Sequence, residues 1–203
     1  MWALVQDGAV TKTFNYGKGF VLNGNQYSAD IFMKWSKAEK EAIGIYEVIV
    51  DKSNYKDPAY YNNTNSTIAF ANGQVTESWG TATPRRLNDE NAVDQDGNPI
   101  LQDGVQVINY GLKTEKKKIV KQQASGLLAP TDWYVVKASE VSDYSVPTNI
   151  ATYRASVRTK SNEMETAITN ASDTPALETL YTYTTNSDGV QSRPLGELPT
   201  LES

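Results

Sequence analysis

Leu127-Leu128-Ala129-Pro130-Thr131-Asp132-Trp133-Tyr134 is followed by a polar stretch and then by Ile150-Ala151-Thr152-Tyr153-Arg154-Ala155-Ser156-Val157-Arg158. Pro130 lacks a backbone N–H and biases Ala129 away from helical dihedral angles, so a helix arriving from the N-terminal side is expected to stop here. Trp133 and Tyr134 come next, and the expectation is a corner where two large rings fill the space between crossing helices. Further on, Ile150, Tyr153, Val157, Met164, Ala167, Ile168 and Ala171 recur at helical intervals, which makes one apolar stripe. This predicts a helix over 147–171, with Pro147 suited to its first turn. Before the corner the pattern reads as helical over 105–128, where Leu112, Ile119, Val120, Ala124 and Leu127 fall on one side and Lys113, Lys116, Lys117, Lys118 and Lys121 largely on the other. The two helices form a helical hairpin.

Six Asx-Gly pairs punctuate the rest: Asp7-Gly8, Asn23-Gly24, Asn72-Gly73, Asp96-Gly97, Asp103-Gly104 and Asp188-Gly189. Both residues of such pairs accept positive φ, which tight β-hairpin turns require. Hairpins are therefore expected over 2–14, 20–28 and 67–79, with a last one formed by 181–185 and 190–193. Ser36 and Glu39 have capping-box spacing, and Gly44 is placed to end the short helix they open. Residues 45–50 read as a buried strand, and 51–66 as a polar connection carrying Tyr55, Tyr60 and Tyr61. Residues 84–104 are polar and poor in large apolar side chains, as in a linker or an exposed β-ribbon. A short helix is expected near 175–180.

The predicted fold class is thus α+β. It has a β-hairpin-rich N-terminal module over 1–83, a polar connector over 84–104, and a helical hairpin with a C-terminal β-hairpin over 105–203.

Composition narrows the chemistry. The 203 residues include no histidine and no cysteine, which excludes Cys/His zinc sites, disulfides and catalysis by a histidine base. A net charge of −5 argues against nucleic acid or an anionic membrane as the main partner. Hydrophobic residues make up 39% and mean hydropathy is −0.52, low for a self-sufficient globule, while twelve tyrosines and four tryptophans suit protein interfaces. The N-terminus Met1-Trp2-Ala3-Leu4-Val5-Gln6-Asp7 has neither the basic region nor the long apolar run of a secretion signal, and nothing reaches transmembrane length, so synthesis in the cytosol is expected.

Few constellations carry chemistry. Asp94-Gln95-Asp96-Gly97-Asn98 alternates oxygen ligands like the start of a calcium loop, but the third ligand and the distal glutamate are out of register, and a solvated turn is the plainer reading. The lysine run 113–118 reads as the wet side of an amphipathic helix, with a phosphate-contacting face as the alternative. Arg154 and Arg158 sit one turn apart in the N-terminal half of their helix, where the helix dipole disfavours cations. A carboxylate should stabilise them: Asp132, Asp143 or one from a partner. The tyrosines at 55, 60 and 61 suit a protein contact, a glycan-stacking platform or packing against the hairpins. No carboxylate pair, serine–lysine arrangement or phosphate loop suggests an enzyme, and no cofactor or metal is expected.

The order Leu127-Leu128, Thr131-Asp132-Trp133, variable loop, then Tyr153-Arg154 and Val157-Arg158 resembles the C-terminal signature of bacteriophage tail-fibre assembly proteins. In that family a Leu-Leu-x-x-Thr-Asp-Trp segment precedes a helix containing Tyr-Arg and a further Arg. The loop is longer here and the helix continues past Arg158. Val21-Leu22-Asn23-Gly24-Asn25, Trp35-Ser36-Lys37-Ala38-Glu39 and Ile43-Gly44-Ile45-Tyr46 are similar to the front ends of many such proteins. The resemblance implies a non-enzymatic chaperone or accessory subunit that masks the apolar end of a fibre while the fibre folds or trimerises. It would act in the host cytoplasm, with retention in the virion tail, and an oligomer within it, as further outcomes. Its partner would be a tail-fibre or tail protein, with Arg154, Arg158, Tyr55, Tyr60 and Tyr61 as contact candidates. A permanent tail or baseplate subunit and a glycan-binding adhesin are the alternatives.

Overall fold

Four of the six Asx-Gly pairs place both residues at positive φ, and each closes a two-residue hairpin turn. Asp7-Gly8 joins β1 (Trp2–Gln6) to β2 (Ala9–Phe14), Asn23-Gly24 joins β3 (Phe20–Leu22) to β4 (Asn25–Tyr27), and Asp103-Gly104 joins Leu101–Gln102 to Val105–Gln106. The fourth, Asn72-Gly73, joins two strands of the main sheet, Ser66–Ala71 and Gln74–Trp79. At Asp96-Gly97 and Asp188-Gly189 only the glycine adopts positive φ. The computed structural model describes residues 1–15 and 17–201. The fold is α+β, and the chain divides between Thr83 and Pro84 into two compact units.

The first unit is built on a five-stranded sheet. After β5 (Ile45–Asp51) and the two-residue β6 (Tyr61–Asn62) come β7 (Ser66–Ala71) and β8 (Gln74–Trp79), and the sheet order is β2-β1-β5-β8-β7. β5 is shared end to end. Its start runs antiparallel to β1, with Leu4 opposite Ile45, and its second half runs parallel to β8, from Val48 opposite Val75 to Asp51 opposite Ser78. Alternation along β1 sends Leu4 to one face and Ala3 to the other, and each face has its own core. Leu4, Phe14, Phe20, Ile31, Phe32 and Ile45 pack on one side; Ala3, Val48 and Val75 pack on the other. The expected burial of residues 45–50 holds for Ile45 and Val48 only. Ile49 and Val50 are about half exposed, because the strand runs on past both clusters.

Two short helices, α1 (Ile31–Lys34) and α2 (Lys37–Ala42), connect to β5. Ser36 and Glu39 complete the capping box, and Gly44 follows the helix at φ 80°. The glycine is required twice over, since a Cβ there would lie 2.6 Å from the Val5 carbonyl oxygen.

In the second unit α3 (Leu112–Leu128) and α5 (Thr148–Asn170) lie antiparallel: Lys121 pairs with Glu165 at 3.3 Å, while Leu128 meets Arg154. The α5 stripe is buried as its periodicity predicts, at Ile150, Tyr153, Val157, Met164 and Ile168. On α3 the buried line is Leu112, Val120 and Ala124; Ile119, turned about 100° from Val120 by the helical rotation, is exposed instead. The short helix α6 (Thr174–Tyr181) follows, capped by the Asp173 side chain. The terminal hairpin is shorter than predicted, pairing Thr184–Thr185 with Gln191–Ser192, after which Leu195 is buried.

Residues 84–104 belong to this unit, and α3 starts against them. The Arg86 and Leu87 carbonyls accept from Leu112 N and Lys113 N at 2.9 and 3.1 Å. Asp89 accepts from Gly111 N at 2.8 Å and from Thr114 Oγ1 at 2.9 Å. These partners satisfy the first turn of a helix whose own N-cap, Gly111, has no side chain. Of the two readings of this polar stretch, the exposed β-ribbon is found in the pairing of Leu101–Gln102 with Val105–Gln106, while Arg86, Leu87 and Asp89 serve the N-terminal end of α3.

Candidate functional site

α3 stops at Leu128, before Pro130, but Ala129 keeps helical dihedral angles (φ −51°, ψ −45°) against expectation, and no open corner follows. Proline is well suited to a first helical turn, and it opens a 3-10 turn over Ala129–Thr131 that leads into α4 (Asp132–Glu140). None of the α4 residues is buried. Trp133 and Val136, close together on one helix face, are each 52% exposed, and Val135 and Val141 are exposed beside them. Trp133 packs on the neighbouring Tyr134 ring at a centroid distance of 3.8 Å, and the Lys137 ammonium lies 5.9 Å from the indole. The expectation that Trp133 fills the gap between two helices is therefore overturned.

Between α3 and α5 an apolar cluster of Ala124, Tyr153 and Val157 with Leu127 and Leu128 adjoins two buried polar residues. Thr131 is buried, and so is Arg154, at 6% exposure. Arg154 Nη1 donates to the Leu128 carbonyl at 3.0 Å and to Thr131 Oγ1 at 2.5 Å, while Nη2 pairs with Asp132 at 2.7 Å. Tyr153 Oη donates to the Leu127 carbonyl at 3.3 Å. Adjacent residues of α5 thus satisfy adjacent carbonyls at the C-terminal end of α3, where the partial negative charge favours a cation. The unfavourable position of Arg154 on its own helix is offset by a favourable one on its neighbour. The expected pairing of Arg154 with Asp132 is found, and as a partner contact Arg154 is corrected: its guanidinium is committed inside the chain.

Arg158, one turn later, is exposed and has no ion-pair partner among the described residues. It lines an open groove between α3 and α5 together with Lys121, Ser125, Asp132 and Asn162.

The tyrosines separate in the same way. Tyr60 and Tyr61 are each 5% exposed, and Lys56 lies over the Tyr61 ring at 4.9 Å. Neither offers a stacking platform. Tyr55 alone is on the surface, set edge-on to Trp79 at 5.3 Å. At the calcium-like segment, Asp94 accepts from the Asn98 and Asp96 amides at 2.8 and 2.9 Å, and these bonds, Asn98 first, hold its carboxyl below the usual aspartate range. The carboxylate shapes its own turn. Among the described residues, no three or more acidic, histidine or cysteine side chains gather as a metal site, and no helix is long and apolar enough to cross a membrane.

The exposed face of α4 was illegible in the sequence because Trp133-Tyr134-Val135-Val136 puts apolar side chains all round a helix and yields no stripe. Comparisons with family models, with curated proteins and with solved structures find no match to this chain.

Proposed function

We propose that this protein is a non-enzymatic bacteriophage tail-fibre assembly chaperone or accessory subunit, acting in the host cytoplasm. The observation that carries the reading is α4, a helix with no buried residue that holds Trp133 and Val136 in the open. A large ring beside a β-branched side chain is the kind of anchor that drives protein–protein binding once a partner excludes water around it. The helix begins with Asp132 and Trp133, the last two residues of the Leu-Leu-x-x-Thr-Asp-Trp segment on which the family resemblance rests. A fibre end whose apolar surface is still unpaired would be covered by this face until its own subunits assemble. Of the earlier contact candidates, Arg158 and Tyr55 have the exposure this role needs.

Co-expression with the fibre protein from the adjacent reading frame, followed by size-exclusion chromatography, tests the proposal. Co-elution is expected; separate elution of two folded proteins would remove it. Mass spectrometry of purified particles then divides the reading, since a transient chaperone is absent from them and a permanent tail or baseplate subunit is present.

A further inference from the structure

The chain is acidic as a whole, yet the flank where α3 meets α5 is not. Three adjoining stretches of groove, the one holding Lys118 lined by α3 residues alone, share Lys117, Lys121, Ser125 and Asn162 pairwise, and their linings include five cations against two carboxylates. Both carboxylates are engaged: Asp132 with the buried Arg154, and Glu165 with Lys121. Lys117 lies within electrostatic reach of Asp89. Lys118 and Arg158 are exposed and have no ion-pair partner among the described residues.

The lining of the stretch that holds Arg158 includes the buried small side chains Ala124 from α3 and Ser161 from α5, with Ser125 and Leu128 beside them. A main chain can approach such small side chains closely while its own side chains reach the cationic walls. Arg158 stands one helical turn from Arg154, a like-charge spacing that disfavours both unless an anion is nearby. Asp132 serves Arg154 and leaves Arg158 without a described counter-charge.

We infer that the α3–α5 groove is a docking site for an acidic peptide segment of a partner protein, whose carboxylates pair with Arg158 and Lys118. The identity of that partner as a fibre protein rests on the function proposed above; the chemistry of the groove does not. Carboxylates are favoured over a nucleic-acid backbone because the excess of positive charge is short and local. The net −5 of the whole chain would repel an extended polyanion on either side of it. The groove also adjoins α4, since Asp132 is both its lining and the first residue of that helix. An acidic segment carrying one apolar side chain could therefore reach Trp133.

The test uses the full chain and a short fluorescein-labelled Glu/Ala peptide, read by fluorescence anisotropy at low and physiological salt. Backbone amide shifts of the labelled protein locate the contact. Saturable, salt-sensitive binding with shifts along residues 117–125 and 158–162 is expected. A double variant, Arg158→Ala with Lys118→Ala, should weaken it about fivefold or more, while Lys52→Ala in the first unit leaves it unchanged. Both sites are exposed, and an unchanged circular dichroism spectrum and melting curve verify that the double variant is folded. The inference is overturned by absence of saturable binding at low salt, by equal binding to the folded double variant, or by tighter binding of a single-stranded oligonucleotide to the same residues. Shifts confined to other surfaces overturn it as well. Because the assay contains no fibre protein, its failure leaves the fibre-binding reading standing. Failure of co-elution, conversely, leaves the groove standing.

Discussion

Asp89 Oδ1 accepts a hydrogen bond from the Gly111 amide at 2.8 Å, joining residues 22 positions apart at the start of α3. The contact is close enough to dictate both residue types. A Cβ on Gly111 would lie 2.5 Å from the Asn88 carbonyl group, and only a side chain with a free oxygen can reach back from residue 89 to the helix start.

Gly111→Ala should therefore destabilise the second unit by about 1–3 kcal/mol, the range for forcing an extra carbon into a filled space. Urea unfolding followed by circular dichroism checks this. An unchanged midpoint would show that the 87–89 segment moves aside freely.

Asp89 also predicts a pH dependence. The Gly111 amide, the larger cause, and the Thr114 hydroxyl hold its carboxyl below the ordinary aspartate range. Because the folded state binds the proton less readily than the unfolded state, the contribution is present above the ordinary value of about 4. It is lost as pH falls through the lowered folded value. Asp89→Asn should reduce stability at neutral pH and flatten the acid arm of the stability curve. An acid arm identical to that of the parent would exclude Asp89 as a contributor. Glu39, Asp51 and Asp94, lowered by similar hydrogen bonds, contribute slope of the same sign.

The two arginines of α5 should respond in opposite ways. Arg154→Ala removes the donor to the buried Thr131 hydroxyl oxygen and the ion-pair partner of Asp132, while the Leu128 carbonyl keeps the Thr131 hydroxyl as a donor, at a cost of about 1–3 kcal/mol. Arg158→Ala should stay within about 0.5 kcal/mol of the parent, as exposed substitutions do. Charge reversal at Arg158 should weaken the fibre complex without unfolding the chain. Thermal unfolding of each variant, paired with co-elution, separates the two roles.

Trp133→Ala should likewise change stability by only about 0.5 kcal/mol. Its effect belongs to the complex, where loss of a central aromatic anchor costs about 2 kcal/mol or more. A large drop in the denaturation midpoint of the free protein would put the ring in the core. An unaltered complex would put the contact elsewhere.

What the sequence by itself determined is local. Asx-Gly pairs specify hairpin turns because two successive residues must accept positive φ, and four of them do so here. Ser36 and Glu39 specify a helix start because the two bonds of the box lie within one turn. The α5 stripe was legible because burial on a single helix face repeats with the helical period. The tertiary structure decided everything that depends on which distant segment arrives. The parallel pairing of β5 with β8 leaves no turn signature, since the strands are joined through other elements. The role of Arg86, Leu87 and Asp89 was not legible in a stretch that reads as linker or exposed β-ribbon, because polar groups that cap a remote helix look the same in sequence as polar groups that face water. Trp133 is exposed where burial was expected, and Arg154, paired with Asp132 as one reading had it, is buried, for the same reason. Side-chain type sets the cost of burial, but whether a residue is buried depends on its neighbours. At the end of α3 the open carbonyls needed hydrogen-bond donors, which a guanidinium supplies and an indole ring largely cannot.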